Sequence, residues 1–324
     1  MRAGYLGGLA AWTGFTLPSA VVLVLFAHGA GNLKSTAGIG LLHGLMLVAV
    51  AVVAQAVWGM ARALCNDWQR ASIAGVAALF VIFYPSPAAQ VELILFGGLA
   101  GLWLCRTVTP ASSGTVVLPV SRTVGLIALT IFFLLLIGLP LLRGLLPGVA
   151  QLDAFYRSGA LVFGGGHVVL PLLREAFVTP GWVSDEVFLA GYGAAQAIPG
   201  PLFTFAAYLG SVLTPSPNGV RGAAVGLLGI FLPGLLILIG TLPFWQLSRS
   251  RAGVRAAMQG VNAAVVGLLG AALYDPVWTS AVRTGGDFLV ALIGLVLLTI
   301  WRAPPLLVVI ICILGGIILA EAKP

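Results

Sequence analysis

Two stretches, Phe163-Gly-Gly-Gly-His167 and Gln196-Ala-Ile-Pro-Gly-Pro201, interrupt long apolar runs and hold the residue types best suited to chemistry in this chain. Three consecutive glycines remove side chains and let the backbone approach a neighbouring helix or a ligand. His167 follows them and could donate to an oxyanion or carry a proton. In the second stretch Ile198 and Gly200 each precede a proline. Proline lacks an amide hydrogen and pushes the preceding residue out of helical dihedrals, so no helix runs smoothly through 198–201. The pieces on either side, 186–197 and 202–213, are each ~18 Å long, near half of a ~30 Å hydrocarbon core. Backbone groups freed at that depth must face a ligand or a polar cavity. Paired broken helices are the sequence mark of a transporter binding site at the bilayer midplane.

Helices restarting at 167 and 202 would present the amides of Gly165, Gly166 and His167, and of Leu202, Phe203 and Thr204, to a bound group. A helix start carries about +0.5 charge and free N–H donors, which suits an anion. Gln196 and Thr204 add neutral donors. The predicted substrate-binding set is therefore Gly164, Gly165, Gly166, His167, Gln196, Pro199, Gly200, Pro201 and Thr204. The plainer reading of the same residues is glycine-mediated helix packing, a histidine bonded to a carbonyl, and polar side chains that close helix ends. No catalytic residue, metal ligand or cofactor is called for. Asp153, Asp275 and Asp287 lie at the ends of apolar runs and are expected to be solvated, and His28 and His43 to be interfacial or packed.

The elements that must position these stretches are membrane helices. Sixty per cent of residues are hydrophobic, only 8% are charged, and the mean hydropathy is +1.10, against about 25% charged residues in a soluble domain. The +7 formal charge sits on short loops and reports orientation, so nucleic acid is not an expected partner. Cys65, Cys105 and Cys312 match neither a disulfide framework nor a metal site. The first apolar run is long and contains Pro18, and no cleavable signal sequence is expected. Eleven apolar runs can be read: 5–28, 38–59, 72–84, 90–105, 124–142, 155–178, 186–213, 222–245, 258–274, 287–301 and 304–320. The run at 72–84 is marginal for a span. The fold class is an all-α polytopic membrane protein, an inverted-repeat transporter with broken helices that are re-entrant or half-length.

An internal repeat underlies that assignment. Leu17-Pro18 corresponds to Leu232-Pro233, Gly44 to Gly260, Pro87 to Pro304, and Gly97-Gly98 to Gly315-Gly316, at offsets of 215, 216, 217 and 218. Residues 1–105 then form an incomplete N-terminal repeat without the two breaks, 106–123 a linker, and 124–324 a complete C-terminal repeat that carries both. Seven apolar elements in the complete copy, an odd number, would invert one copy against the other. Loop charges agree. Arg2, Arg62, Arg70, Arg106, Arg122, Arg249, Arg251, Arg255 and Arg302 fall inside; Lys34, Arg143, Arg221, Arg283 and Lys323 fall outside.

At its broken elements the sequence resembles the chromate ion transporter family, bacterial inner-membrane oxyanion carriers. The resemblance rests on Gly159-Ala-Leu-Val-Phe-Gly-Gly-Gly-His-Val-Val-Leu-Pro171 and Gly191-Tyr-Gly-Ala-Ala-Gln-Ala-Ile-Pro-Gly-Pro-Leu-Phe203. Ala206-Ala-Tyr-Leu-Gly210, Phe231-Leu-Pro233 and Gly260-Val-Asn-Ala-Ala-Val-Val-Gly267 also match, and the likeness spans essentially the whole chain. It implies a multi-pass inner-membrane carrier that exports chromate, with sulfate as the close analogue, driven by ion gradients. Long family members resemble two homologous halves with both breaks in each. The first copy here departs from that pattern, so a homodimer or a complementary half joins the anion and the bilayer among the expected partners. The rival readings are a truncated, non-transporting remnant or subunit and, more remotely, a membrane-embedded enzyme. Against the enzyme, no His-Glu-x-x-His or Gly-x-Ser-x-Gly motif occurs and intramembrane carboxylates are nearly absent.

Overall fold

Long apolar runs punctuated by glycine and proline leave the backbone only one way to satisfy its polar groups without a closed barrel, and that is helix. In a computed structural model of the chain every regular element among the described residues is helical. The structure describes residues 4–30, 35–84, 89–105, 121–145, 148–162, 166–244 and 251–322. Helices α1 (Gly4–Ala30), α2 (Thr36–Leu64), α3 (Trp68–Phe83) and α4 (Ala89–Leu104) precede α5 (Arg122–Leu142). Four short helices follow: α6 (Val149–Ala160), α7 (Val169–Phe177), α8 (Asp185–Ala197) and α9 (Phe205–Val212). The chain ends with α10 (Gly219–Thr241), α11 (Ala252–Ala272), α12 (Gly285–Thr299) and α13 (Pro305–Glu321). After α11 the backbone continues into a π-helical turn, Leu273–Trp278, where Asp275 leaves helical dihedrals just before Pro276, as proline requires of its predecessor.

Among the described residues five helical segments are long and apolar enough to cross a membrane: Gly7–Ala30, Thr36–Leu64, Arg122–Leu142, Gly219–Phe244 and Ala252–Ala281. The marginal run becomes α3, 16 residues long or about 24 Å, short of the ~30 Å core. Helix α5 buries Gly125, Ala128, Phe132 and Leu139 but exposes Ile127, Leu134, Ile137 and Leu141. One face packs on protein and the other suits lipid.

The chain divides into two compact units. The first contains Met1–Ala56, Phe177–Leu227 and Leu273–Pro324; the second contains Val57–Ala176 and Leu228–Ala272. Each is held by the near-contact of small residues. In the first unit a Cβ on Gly316 of α13 would overlap the carbonyl of Gly40 and the backbone of Gly44 on α2. In the second, a Cβ on Gly101 of α4 would overlap the carbonyl of Ala256 and the backbone of Gly260 on α11. Gly294 of α12 meets Ala51 in the first unit, as Ala77 of α3 meets Gly267 in the second. The same contacts thus recur with the helices exchanged, α2 with α12 and α13, and α11 with α3 and α4. By these contacts Gly101, not Gly98, occupies the place equivalent to Gly316. The matched glycine doublets are therefore one helical turn out of register, because glycines recur along α4 at nearly that spacing.

Such contacts replace hydrophobic drive, which lipid does not supply between helices. Gly260→Leu should force α4 and α11 apart and cost about 1–3 kcal/mol or more. Gly270→Leu, where an added side chain meets nothing within 4 Å, should be neutral. Thermal unfolding of the two purified variants checks this; equal midpoints would contradict the packing account.

Candidate functional site

The second break lies in the first unit and is a re-entrant hairpin. Ser184 caps α8, its hydroxyl accepting from the Val187 amide, and Asp185 and Glu186 fill the first turn, where carboxylates suit the positive helix end. Helix α8 stops at Ala197 because Ile198 is extended (φ −101°, ψ 125°) ahead of Pro199. Pro201 is extended as well, and a 3-10 turn, Leu202–Thr204, leads into α9. The chain then returns along α8. The Tyr208 hydroxyl donates to the Val187 carbonyl at 3.0 Å, and the Tyr208 ring fills the space a side chain at Gly191 would need. Phe205 packs edge-on against Phe188 and Tyr192 at 5.2 and 5.7 Å. At the open end the Trp182 carbonyl accepts from both the amide and the hydroxyl of Thr214, at 3.0 and 2.7 Å. The two pieces therefore enter and leave on one side.

At the tip, the amide and hydroxyl of Thr204 both donate to the Pro201 carbonyl, at 2.9 and 2.7 Å. Thr204 thus closes the turn with the groups that were expected to face an anion. Gln196 differs. Its Nε2 is buried and has no hydrogen-bond partner among the described residues, a state that costs about 1–3 kcal/mol. Pro199 is exposed at the tip and Gly200 is half-buried. A Cβ on Gly200 would lie 2.6 Å from that of Ser19 on α1.

The first break lies in the second unit. Helix α6 ends at Ala160, and the Leu161 amide bonds back to Arg157. Gly164 and Gly165 lie outside the described residues. Gly166 and His167 open a 3-10 turn, Gly166–Val168, that runs into α7, and His167 is half-buried. This element also doubles back, since the Ser158 hydroxyl reaches the Leu172 carbonyl at 3.5 Å and Leu161, Val162, Val168 and Leu172 share one core with Val261 and Val265 of α11. Both breaks are thus single hairpins, each confined to its own unit.

Two carboxylates expected to be solvated are buried. Asp153 is fully buried on α6 and is held by Arg143 and, at 2.9 Å, by Arg157. Asp287 is 1% exposed. It completes a capping box with Thr284 at the start of α12 and takes a 2.7 Å hydrogen bond from His43 of α2. In both cases a buried carboxylate is answered by a cation or imidazole, Asp153 by arginines four and ten residues away and Asp287 by a histidine on another helix. Asp275 is exposed, as expected. The Asp153–Arg157 spacing of four residues was a readable signal, whereas His43–Asp287, 244 residues apart, offered none.

A polytopic helical chain with two glycine- or proline-broken re-entrant hairpins has the architecture of a membrane transporter. The family profile described as chromate transporter matches residues 1–102 and 149–317. The chain belongs to the chromate transporter family and is a multi-pass inner-membrane protein. It is 27% identical to a chromate transport protein of Pseudomonas aeruginosa over 96% of this chain and 74% of that one. It is 30% identical to a chromate transport protein of Cupriavidus metallidurans over 46% of this chain and 36% of that one. An uncharacterized transporter of Bacillus subtilis, YwrB, shares 36% identity over 38% of this chain and 61% of its own. The chain thus spans less than two thirds of the latter two proteins. No solved structure matches it.

The hairpin geometry makes a prediction about sidedness. Were 186–213 a crossing helix, its two ends would face opposite compartments. With the ends joined at Trp182 and Thr214, cysteines introduced at Thr179 and Asn218 of a Cys-free variant should react alike with an impermeant thiol reagent in intact cells. One at Arg251, beyond the spanning α10, should be shielded when they are labelled. Opposite behaviour of Thr179Cys and Asn218Cys would refute the hairpin.

Proposed function

We propose that this chain is a secondary carrier that exports chromate across the inner membrane, with each break supplying donors to a tetrahedral dianion. The observation that carries the reading is the buried, unpartnered Nε2 of Gln196, one turn before the Pro-Gly-Pro tip of a hairpin. A buried amide donor without an acceptor is destabilising, and an oxyanion is pure acceptor. Gly200 and Pro201 shape that tip while Thr204 locks it. In the other unit Gly164, Gly165 and Gly166 keep the backbone bare ahead of His167. The relatives named for chromate transport support the substrate. Sulfate as a competing analogue, use of the membrane's ion gradients, and pairing with a second copy or a complementary half belong to the same reading.

The reciprocal contacts of α2 and α11 support two copies of one unit, complete in 124–324 and partial in 1–105. With both breaks re-entrant, the complete copy crosses five times, still an odd number, so inversion survives the change from crossing to hairpin. The basic loops keep their assigned sides.

In reconstituted vesicles Gly165→Leu should abolish chromate transport at equal expression, and Pro199→Ala should reduce it by misplacing the tip. Wild-type rates in Gly165→Leu would remove that glycine from the site. His167 bears on coupling. Histidine titrates at about 6.5 in general, and a dianion bound beside it favours the imidazolium, so proton and anion would assist one another by linkage. His167→Gln should retain some chromate binding but flatten the pH dependence of transport between about 5.5 and 7.5. An unaltered profile would place the coupling group elsewhere.

A further inference from the structure

Helix α1 brings a polar edge to the second break that its apolar sequence context conceals. Thr16, Ser19, Ala20 and Leu23 recur at helical spacing and are all buried, Thr16 at 0% and Ser19 at 2% exposure. Ser19 abuts Gly200, Ala20 packs with Ala207 of α9, and Phe26 meets the Tyr208 ring at 5.8 Å. From Ser19 onward α1 therefore follows α9 away from the tip. Thr16, one turn earlier on the same face, lies at the level of the break.

Hydroxyls on apolar helices ordinarily turn back onto the carbonyl four residues earlier. Thr13, Ser158, Ser211, Thr241 and Thr299 all do so, at 2.7–2.8 Å, and Ser19 is satisfied by the carbonyl of Thr16 at 2.9 Å. The Thr16 hydroxyl alone among these makes no hydrogen bond within the described residues, although it is fully buried. Thr16 Oγ1 of α1 and Gln196 Nε2 of the hairpin are thus both buried side-chain atoms without a hydrogen-bond partner among the described residues.

We infer that Thr16 is a further anion-binding residue, which adds a buried neutral hydroxyl to the second break. The inference rests on the proposed anion site at this break. Neutral donors leave no uncompensated protein charge in the apolar interior when the site is empty.

The test is chromate uptake at pH 7 by vesicles that contain the full chain. Thr16→Val, near-isosteric and lacking the hydroxyl, should raise the chromate KM about tenfold with little change in maximal rate. Thr16→Ser should restore it. Gln196→Leu serves as the reference for the site itself. If Gln196→Leu impairs uptake while Thr16→Val keeps the wild-type KM, Thr16 is a packing residue and the inference fails, though the break stands. If Thr16→Val lowers only the maximal rate, its role is structural and the inference fails again. If neither variant changes the KM, the anion site at this break is itself overturned.

Discussion

Close approach of helix backbones through glycine is the contact on which everything else in this chain depends. Hydrocarbon gives no reward for burying leucine against leucine, so helices associate where small residues let van der Waals contact extend to the backbone itself. Gly40, Gly44 and Gly316 do this in one unit, and Gly97, Gly101 and Gly260 in the other. Within these frames the hairpins follow the same rule. Gly193 of α8 presses on the Leu45 carbonyl of α2, Gly210 of α9 on the carbonyl of Gly222 in α10, and Gly159 of α6 on that of Ile230 in α10. A chain with 43 glycines is thus rigid at many of them rather than flexible.

The two hairpins are where we propose that this packing serves function. A helix interrupted in mid-membrane exposes polar backbone in a place without water, and this is tolerated only where protein or a ligand answers it. Part of the answer is internal, since Thr204 spends its amide and hydroxyl on the Pro201 carbonyl. The buried Gln196 Nε2 and Thr16 hydroxyl have no hydrogen-bond partner among the described residues. A site made of orphaned neutral donors suits an anion that must enter and leave, because it attracts the dianion without trapping it as a fixed cation would. Several charged groups have other duties within their own units. Arg143 and Arg157 are tied to Asp153, and Asp287 caps α12 while it holds His43.

Much of this was legible in the residues. Proline chemistry located the end of α8 at Ala197 and the restart at 202, because the constraint acts on adjacent residues and needs no partner. The membrane class followed from composition for the same local reason. Whether the broken pieces continue across the bilayer or fold back was not legible. That choice is made by Tyr208 on Val187 and by Thr214 on Trp182, contacts between residues 21 and 32 positions apart. The burial of Asp153 and Asp287 escaped sequence reasoning because the ends of apolar runs look like interfaces unless the opposing cation is known. Thr16 escaped because a threonine in an apolar helix ordinarily bonds to its own backbone, and only the packed neighbours show that this one does not.

The central claim is that the Pro-Gly-Pro hairpin binds the transported anion through its orphaned donors. Equilibrium binding of radiolabelled chromate to the purified full chain in detergent tests this most directly, without requiring transport. Saturable binding that sulfate displaces, and that Gln196→Leu removes while the protein stays folded, is the predicted result. Chromate binding of equal strength in Gln196→Leu, or no saturable binding in the wild-type chain, would contradict it.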